Sequence, residues 1–152
     1  MADVAESIAV NADAERVWAL VSDVTRMGEW SPETTACRWT GGATGPVVGA
    51  RFRGANRAGW RRWSTLSTVT DARPGERFAF RVTFGPLQIA DWAYDFVPDG
   101  PGTRVTESWT DRRPAWMLPF YGPLMGVADR GEHNRAGMLA TLAAIKQAAE
   151  RG

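Results

Sequence analysis

The chain opens on a two-residue period. Val4, Ile8 and Val10 share one parity, which predicts a strand over residues 4–10. The period then lengthens. Val17, Trp18, Leu20 and Val21 fall at helical spacing behind Asp13, a residue suited to cap a helix N-terminus, and Glu15 sits in the first turn, where the helix dipole favours an acid. This helix is expected to end near Asp23. The stretch Thr25 to Trp30 fits one more short helix, stopped by Ser31-Pro32, because a residue before proline is pushed out of the helical region.

From residue 34 onward the pattern is that of strands. Residues 34–40 form the first, and a glycine-rich loop from Gly41 to Gly49 follows. Further strands are predicted at Arg51 to Asn56, Trp60 to Ala72, Glu76 to Phe84, Gln88 to Val97 and Thr103 to Thr110, separated by Gly and Pro turn signals. Phe78, Phe80, Val82 and Phe84 alternate with Arg77, Ala79, Arg81 and Thr83, giving one apolar and one mostly polar face. Trp92, Tyr94 and Phe96 alternate with Ala93 and Asp95, and Val105, Glu107 and Trp109 with Arg104, Thr106 and Ser108. Short turns between neighbours argue for antiparallel pairing.

Residues 115–126 are apolar but interrupted by Pro119 and Pro123, so they read as a connector. From about Val127 to Glu150 the pattern is helical and free of proline, with Met138, Leu142 and Ile145 on one stripe and Glu132, Lys146 and Glu150 on the other side. Such a helix is roughly 36 Å long, enough to cross a small sheet. The order is therefore strand, one or two short helices, six antiparallel strands, long helix. It predicts an α+β domain, residues 1–152 as one unit, in which the helix covers the apolar face of the sheet.

Composition changes this picture at one point. Eight Trp, six Phe and two Tyr make the chain rich in aromatics, which either fill a core or line a hollow. A net charge of +1 supplies no bulk drive toward nucleic acid or an anionic membrane. The lone cysteine, Cys37, excludes an internal disulfide and fits a reducing compartment. Residues 1–10 carry acids in place of a basic leader, and no run is long enough for a membrane helix, so a cytoplasmic protein without stable membrane insertion is expected, as monomer or homodimer.

Several local marks together resemble the polyketide cyclase/dehydrase and lipid-transport group of START-like (Bet v 1-like, SRPBCC) proteins. They are Asn11-Ala12-Asp13-Ala14-Glu15-Arg16-Val17-Trp18 entering the first helix, then Asp23 with Trp30-Ser31-Pro32, then Phe52-Arg53-Gly54-Ala55-Asn56. Trp92 with Tyr94, the run Gly102-Thr103-Arg104-Val105-Thr106-Glu107, and Arg135-Ala136-Gly137-Met138 complete the set, which spans nearly the whole chain. The resemblance implies the helix-grip fold, a seven-stranded curved antiparallel sheet wrapped around a long C-terminal helix, with a cavity between them. Carried over residue by residue, it implies that Phe52, Gly54, Asn56, Trp63, Thr65, Ser67, Phe80, Val82, Phe84, Trp92, Tyr94, Glu107 and Trp109 face that cavity. It makes the Gly41 to Gly49 loop and the Trp116 to Met125 connector candidates for its rim or lid. It also implies a hydrophobic small-molecule ligand.

Standard catalytic signatures are missing from the sequence. There is no Cys-x-x-Cys, no His pair and no phosphate-cradling loop, and with one His and one Cys a His/Cys metal site is not expected. No cofactor is expected either. The informative residue is Glu107, which shares a strand face with Val105 and Trp109. At about 100° per residue, Arg130, Asn134, Gly137 and Thr141 fall on or beside the Met138 stripe. A cluster of Glu107, Arg130, Asn134, Asn56 and Tyr94 admits three readings: a satisfied Glu107–Arg130 pair, a group that orients a ligand, or an acid–base set of Glu107, Arg130 and Tyr94. His133, at the stripe's edge, and Cys37 read as structural. Arg51, Arg53, Arg57, Arg61 and Arg62 read as a solvated sheet edge.

The expected function is binding of a hydrophobic or aromatic molecule, polyketide-like, lipid or isoprenoid, through Phe52, Asn56, Trp63, Phe80, Val82, Phe84, Trp92, Tyr94, Trp109, Asn134 and Met138. Two alternatives stand beside it: a cofactor-independent polyketide cyclase, aromatase or dehydratase, and a protein-interaction or stress-response module whose cavity is residual.

Overall fold

The computed structural model of the chain describes residues 2–117 and 130–151. Seven antiparallel strands form one sheet in the order β1-β7-β6-β5-β4-β3-β2. They are β1 (Val4–Val10), β2 (Thr34–Thr40), β3 (Arg51–Ala58), β4 (Arg61–Arg73), β5 (Arg77–Phe84), β6 (Leu87–Asp99) and β7 (Gly102–Asp111). Helix α1 (Ala14–Ser22), a 3-10 turn (Val24–Arg26) and the short α2 (Met27–Trp30) carry the chain from one sheet edge to the other, and α3 (Arg130–Glu150) closes the fold. The element order, the sheet and the long helix agree with the sequence reading, and β1 and β2 have the predicted bounds. Trp60 does not open β4 as expected. It sits in the turn, 83% exposed, with the Arg61 guanidinium 4.3 Å from its ring centre.

Local chemistry fixes the ends of the elements. The Asp13 side chain accepts a hydrogen bond from the Arg16 amide, and that of Asp23 from Thr25. Gly28 leaves no room for a side chain against the Thr35 carbonyl, so α2 lies directly on β2. Extra residues at Thr35, Thr70 and Ile89 shift the register of the β2–β3, β4–β5 and β5–β6 pairs. Such bulges increase local twist and bend a sheet.

The two sheet faces differ sharply. On the convex face Arg77 pairs with Asp95 at 2.7 Å and Arg81 with Asp91 at 2.7 Å, and Arg112 adds a contact to Asp91 at 2.8 Å. The Arg81 guanidinium, reinforced by Arg112, holds the Asp91 carboxyl below its ordinary range. On the concave face Phe52, Phe78, Phe80, Phe96 and Val105 pack against Val17, Val21, Leu142 and Ile145 of the helices. Arg51, Arg53 and Arg57 do not lie on a sheet edge as expected, because β2 pairs outside β3; they point outward from an interior strand.

Helix α3 buries Asn134, Met138, Thr141, Leu142, Ile145 and Ala149. Two residues assigned to its far side have a different role. Lys146 Nζ donates to the Ala9 carbonyl at 2.9 Å, and Glu150 accepts from the Asn11 amide at 2.7 Å, tying the helix end to β1 and its exit. Near the other end Arg135 pairs with Glu6 of β1, and His133 Nε2 lies 2.7 Å from Glu33 Oε2 in the loop before β2. The helix start is thus fastened to the chain on both sides of the curved sheet. Among the described residues no helix is long and apolar enough to cross a membrane.

Candidate functional site

The curvature leaves a cavity of about 690 Å3 between the outer halves of β3–β7, the α2–β2 corner and the first turns of α3. Its apolar wall comes from strand positions of inward parity: Phe52, Trp63, Phe80, Val82, Trp92 and Trp109, with Met138 of α3 opposite. Phe52 and Phe80 meet edge to face at 5.1 Å, so part of the wall is also core. Gly54 keeps the floor open, since a side chain there would press on Thr65 Oγ1 at 3.2 Å and Cys37 Sγ at 3.3 Å. Phe84, at the tip of the β5–β6 hairpin, lines the cavity yet is largely exposed and so stands at its mouth, beside Arg57, Ala58 and Gly59 of the β3–β4 hairpin.

Polar groups enter this wall at a few points. Asn56 accepts from Thr34 Oγ1 at 3.0 Å, and its amide nitrogen donates to Thr65 Oγ1 at 3.2 Å, forming a short chain of polar groups near the mouth. Deeper in, Tyr94 and Glu107 face each other across β6 and β7. The Tyr94 hydroxyl donates to Glu107 Oε2 at 2.8 Å. Glu107 is 3% exposed and Tyr94 5%. Burial pushes the Glu107 carboxyl up to about 8, against the lowering effect of the Tyr94 hydrogen bond, so it holds its proton at neutral pH. Burial and the adjacent carboxyl push the Tyr94 phenol well above its ordinary value. Glu107 Oε1 and Asn134 Nδ2 are buried without a hydrogen-bond partner.

The expected Glu107–Arg130 pair falls on a side chain outside the described residues; among the described residues Glu107 bonds Tyr94. Asn56, Tyr94, Glu107 and Asn134 all line the one cavity, but Asn56 bonds Thr34 and Thr65 and does not join Glu107. The Gly41 to Gly49 loop is not part of the rim. It leaves the Thr40–Arg51 end of the β2–β3 hairpin, away from the Asn56 end that borders the mouth, and folds back so that the Gly49 amide donates to the Val69 carbonyl. In the Trp116 to Met125 connector, Trp116 is exposed and off the cavity wall, and residues 118–125 are outside the described set. Cys37 lines the wall half-buried, with its thiol pushed up to about 11 by burial, which makes it a poor nucleophile. Among the described residues no three His, Cys, Asp or Glu side chains converge as a metal site would need.

The sequence reading missed the contribution of the α2–β2 corner, where Met27, Ser31, Pro32, Glu33 and Thr34 close one side of the cavity. The available signal was Ser31-Pro32, which stops α2 and turns the chain along the cavity rim. It also missed Arg113 and His133 as rim residues.

Comparison with known proteins places this geometry among relatives. The profile of the family described as polyketide cyclase / dehydrase and lipid transport matches residues 1–150. A polyketide-cyclase-like protein from Corynebacterium glutamicum is 38% identical over 97% of this chain and 90% of its own, with a TM-score of 0.62. A protein from Thermus thermophilus shares the fold at 18% identity, TM-score 0.73, over 97% of both chains. The di-domain ARO/CYC StfQ of the steffimycin biosynthetic pathway shares it at 16% identity and TM-score 0.75, over 97% of this chain and 50% of that one. No curated protein sequence matches the chain.

Proposed function

Because the chain belongs to the polyketide cyclase / dehydrase and lipid transport family, we propose that it encloses one hydrophobic or aromatic small molecule, polyketide-like, lipid or isoprenoid, in its internal cavity. The carrying observation is the cavity itself. About 690 Å3 lined mainly by aromatic and aliphatic side chains, with few polar groups, suits a ligand of moderate size. Phe52, Trp63, Phe80, Val82, Phe84, Trp92, Trp109 and Met138 supply apolar contact, and Asn56, Tyr94 and Asn134 supply orientation. A residual cavity, as an interaction module would have, is expected to be far smaller.

The Glu107–Tyr94 pair favours one second reading, a cyclase or dehydratase working without a cofactor. A carboxyl that keeps its proton at neutral pH is suited to general-acid work on a bound carbonyl or hydroxyl. Arg130 is assigned to this reading only from the sequence. Of the relatives compared, the steffimycin-pathway protein is named an ARO/CYC, and its likeness to this chain is one of fold.

Titration with aminoanthracene, a fluorescent apolar probe, tests the binding reading. Saturable uptake of one probe per chain, with blue-shifted emission and displacement by apolar competitors, is expected. Emission that stays at its aqueous wavelength at saturating protein would defeat the reading.

A further inference from the structure

Among the described residues, two polar side-chain atoms are buried without a hydrogen-bond partner: Glu107 Oε1 and Asn134 Nδ2. Both residues are more than nine-tenths buried, and both line the cavity. Leaving a buried polar group unpaired costs free energy, so both atoms call for a partner that the cavity's occupant supplies.

Packing sets the two side chains on one stretch of the wall. Helix α3 is tied along β1 at three points in sequence order: Arg135 to Glu6, Lys146 to the Ala9 carbonyl, and Glu150 to the Asn11 amide. Glu6 lies opposite Glu107 in the β1–β7 register, and opposed residues of neighbouring strands share a face. Asn134 directly precedes Arg135, so its helical turn comes down beside Glu107. One turn further on, Met138 packs on Trp109, the next inward-facing residue of β7. Neither unpartnered atom bonds the other, so a third group is needed to satisfy both.

Both atoms are donors. Glu107 Oε2 accepts from the Tyr94 hydroxyl, and the buried carboxyl keeps its proton at neutral pH, which places that proton on Oε1. Asn134 Nδ2 is an amide nitrogen, a donor only. An oxygen with two lone pairs and no proton of its own meets both, and a carbonyl has that form. A hydroxyl would bring a proton that neither atom accepts. A carboxylate would bring a charge that burial disfavours, as it does for Glu107 itself, and Arg135 is held by Glu6. Two residues towards the mouth from Tyr94 and Glu107, Trp92 and Trp109 pair across β6 and β7, and with Phe80 beside Trp92 they form an aromatic belt. Resting on the binding reading above, we infer that the ligand is an uncharged ketone whose single carbonyl oxygen, at the inner end, accepts from both Glu107 and Asn134, while its flat apolar body lies outward on the belt.

Fluorenone, a flat aromatic ketone with one oxygen, and fluorene, the same rings without it, test this. Affinities are read by quenching of the cavity tryptophans. The carbonyl stretch of bound fluorenone, read by isotope-edited infrared difference spectra, falls in frequency as its oxygen accepts hydrogen bonds. In the unaltered protein at neutral pH the stretch is expected well below its hydrocarbon-solvent value, with fluorenone bound roughly tenfold tighter than fluorene. Asn134→Leu should return the stretch about half way to the hydrocarbon value. The double variant Tyr94→Phe with Glu107→Leu, which removes the carboxyl without orphaning the phenol, should do the same. Glu107→Gln offers an N–H in place of the acid proton and should keep the stretch low, which a general loss of packing would not do. Because the probe has one oxygen, a response to both changes places both donors on it. If only one change moves the stretch, or if bound fluorenone already shows its hydrocarbon value, the shared-carbonyl inference fails while the cavity reading stands. If neither fluorenone nor fluorene binds, even at probe saturation, the cavity reading fails and the inference with it.

Discussion

Glu107→Gln is expected to stabilise the protein at pH 8 by roughly 4 kcal/mol and at pH 4 by almost nothing. The carboxyl titrates near 4.5 in an open chain and at about 8 in the fold, where burial disfavours its charge. Between those values the folded state binds the extra proton. Stability from this group is complete below about 4.5 and declines, by up to about 1.4 kcal/mol per pH unit, as pH rises through 8. Glutamine keeps the shape and an acceptor for Tyr94 but carries no charge, so it escapes the decline. Nearby charges do not relieve the effect. Glu6, opposite Glu107 on β1, is held by Arg135 of α3, and Tyr94 is the only described group bonded to the carboxyl. Denaturant unfolding of both proteins from pH 4 to 9 reads the difference. Parallel curves would mean that Glu107 titrates as an exposed carboxyl.

Phe52→Ala and Trp92→Ala should separate what holds the wall from what meets the ligand. Phe52 is fully buried and meets Trp39 and Phe80 edge to face at 5.6 and 5.1 Å. Its truncation should cost about 3–5 kcal/mol of stability. Trp92 is half-buried, lies in register between Phe80 of β5 and Trp109 of β7, and lines the cavity. Its truncation should cost about half as much stability and weaken probe binding at least roughly tenfold. Unfolding and probe titrations on the same samples test the pair. Trp92→Ala with unchanged affinity would remove the aromatic belt from the binding account.

The sheet was legible because its strands alternate and its turns are short. The β6–β7 hairpin closes on the Asp99–Gly102 pair, and counting back from that turn sets Trp92 opposite Trp109 and Tyr94 opposite Glu107. Parity and hairpin length therefore carry most of the site. What sequence could not supply depends on curvature. The bulges at Thr35, Thr70 and Ile89 reset the phase of neighbouring strands without a local sequence signature. Bending brings the Ser31 to Thr34 corner around to α3, where Pro32 approaches Gly137, and no periodicity encodes that contact. Register sets Tyr94 opposite Glu107, while the Arg130 side chain that helical phase places on the same stripe lies outside the described residues. Lys146 and Glu150 looked solvated because their targets are backbone groups of Ala9 and Asn11, which carry no side-chain pattern.

The central claim is that the cavity is occupied by one apolar small molecule. Native mass spectrometry of gently purified protein, followed by organic extraction and identification of what is released, tests it most directly. The account predicts a complex with one apolar or aromatic compound per chain, either retained through purification or formed when such compounds are added. A protein that remains at its bare chain mass, and stays so in the presence of a broad set of apolar compounds, would contradict it.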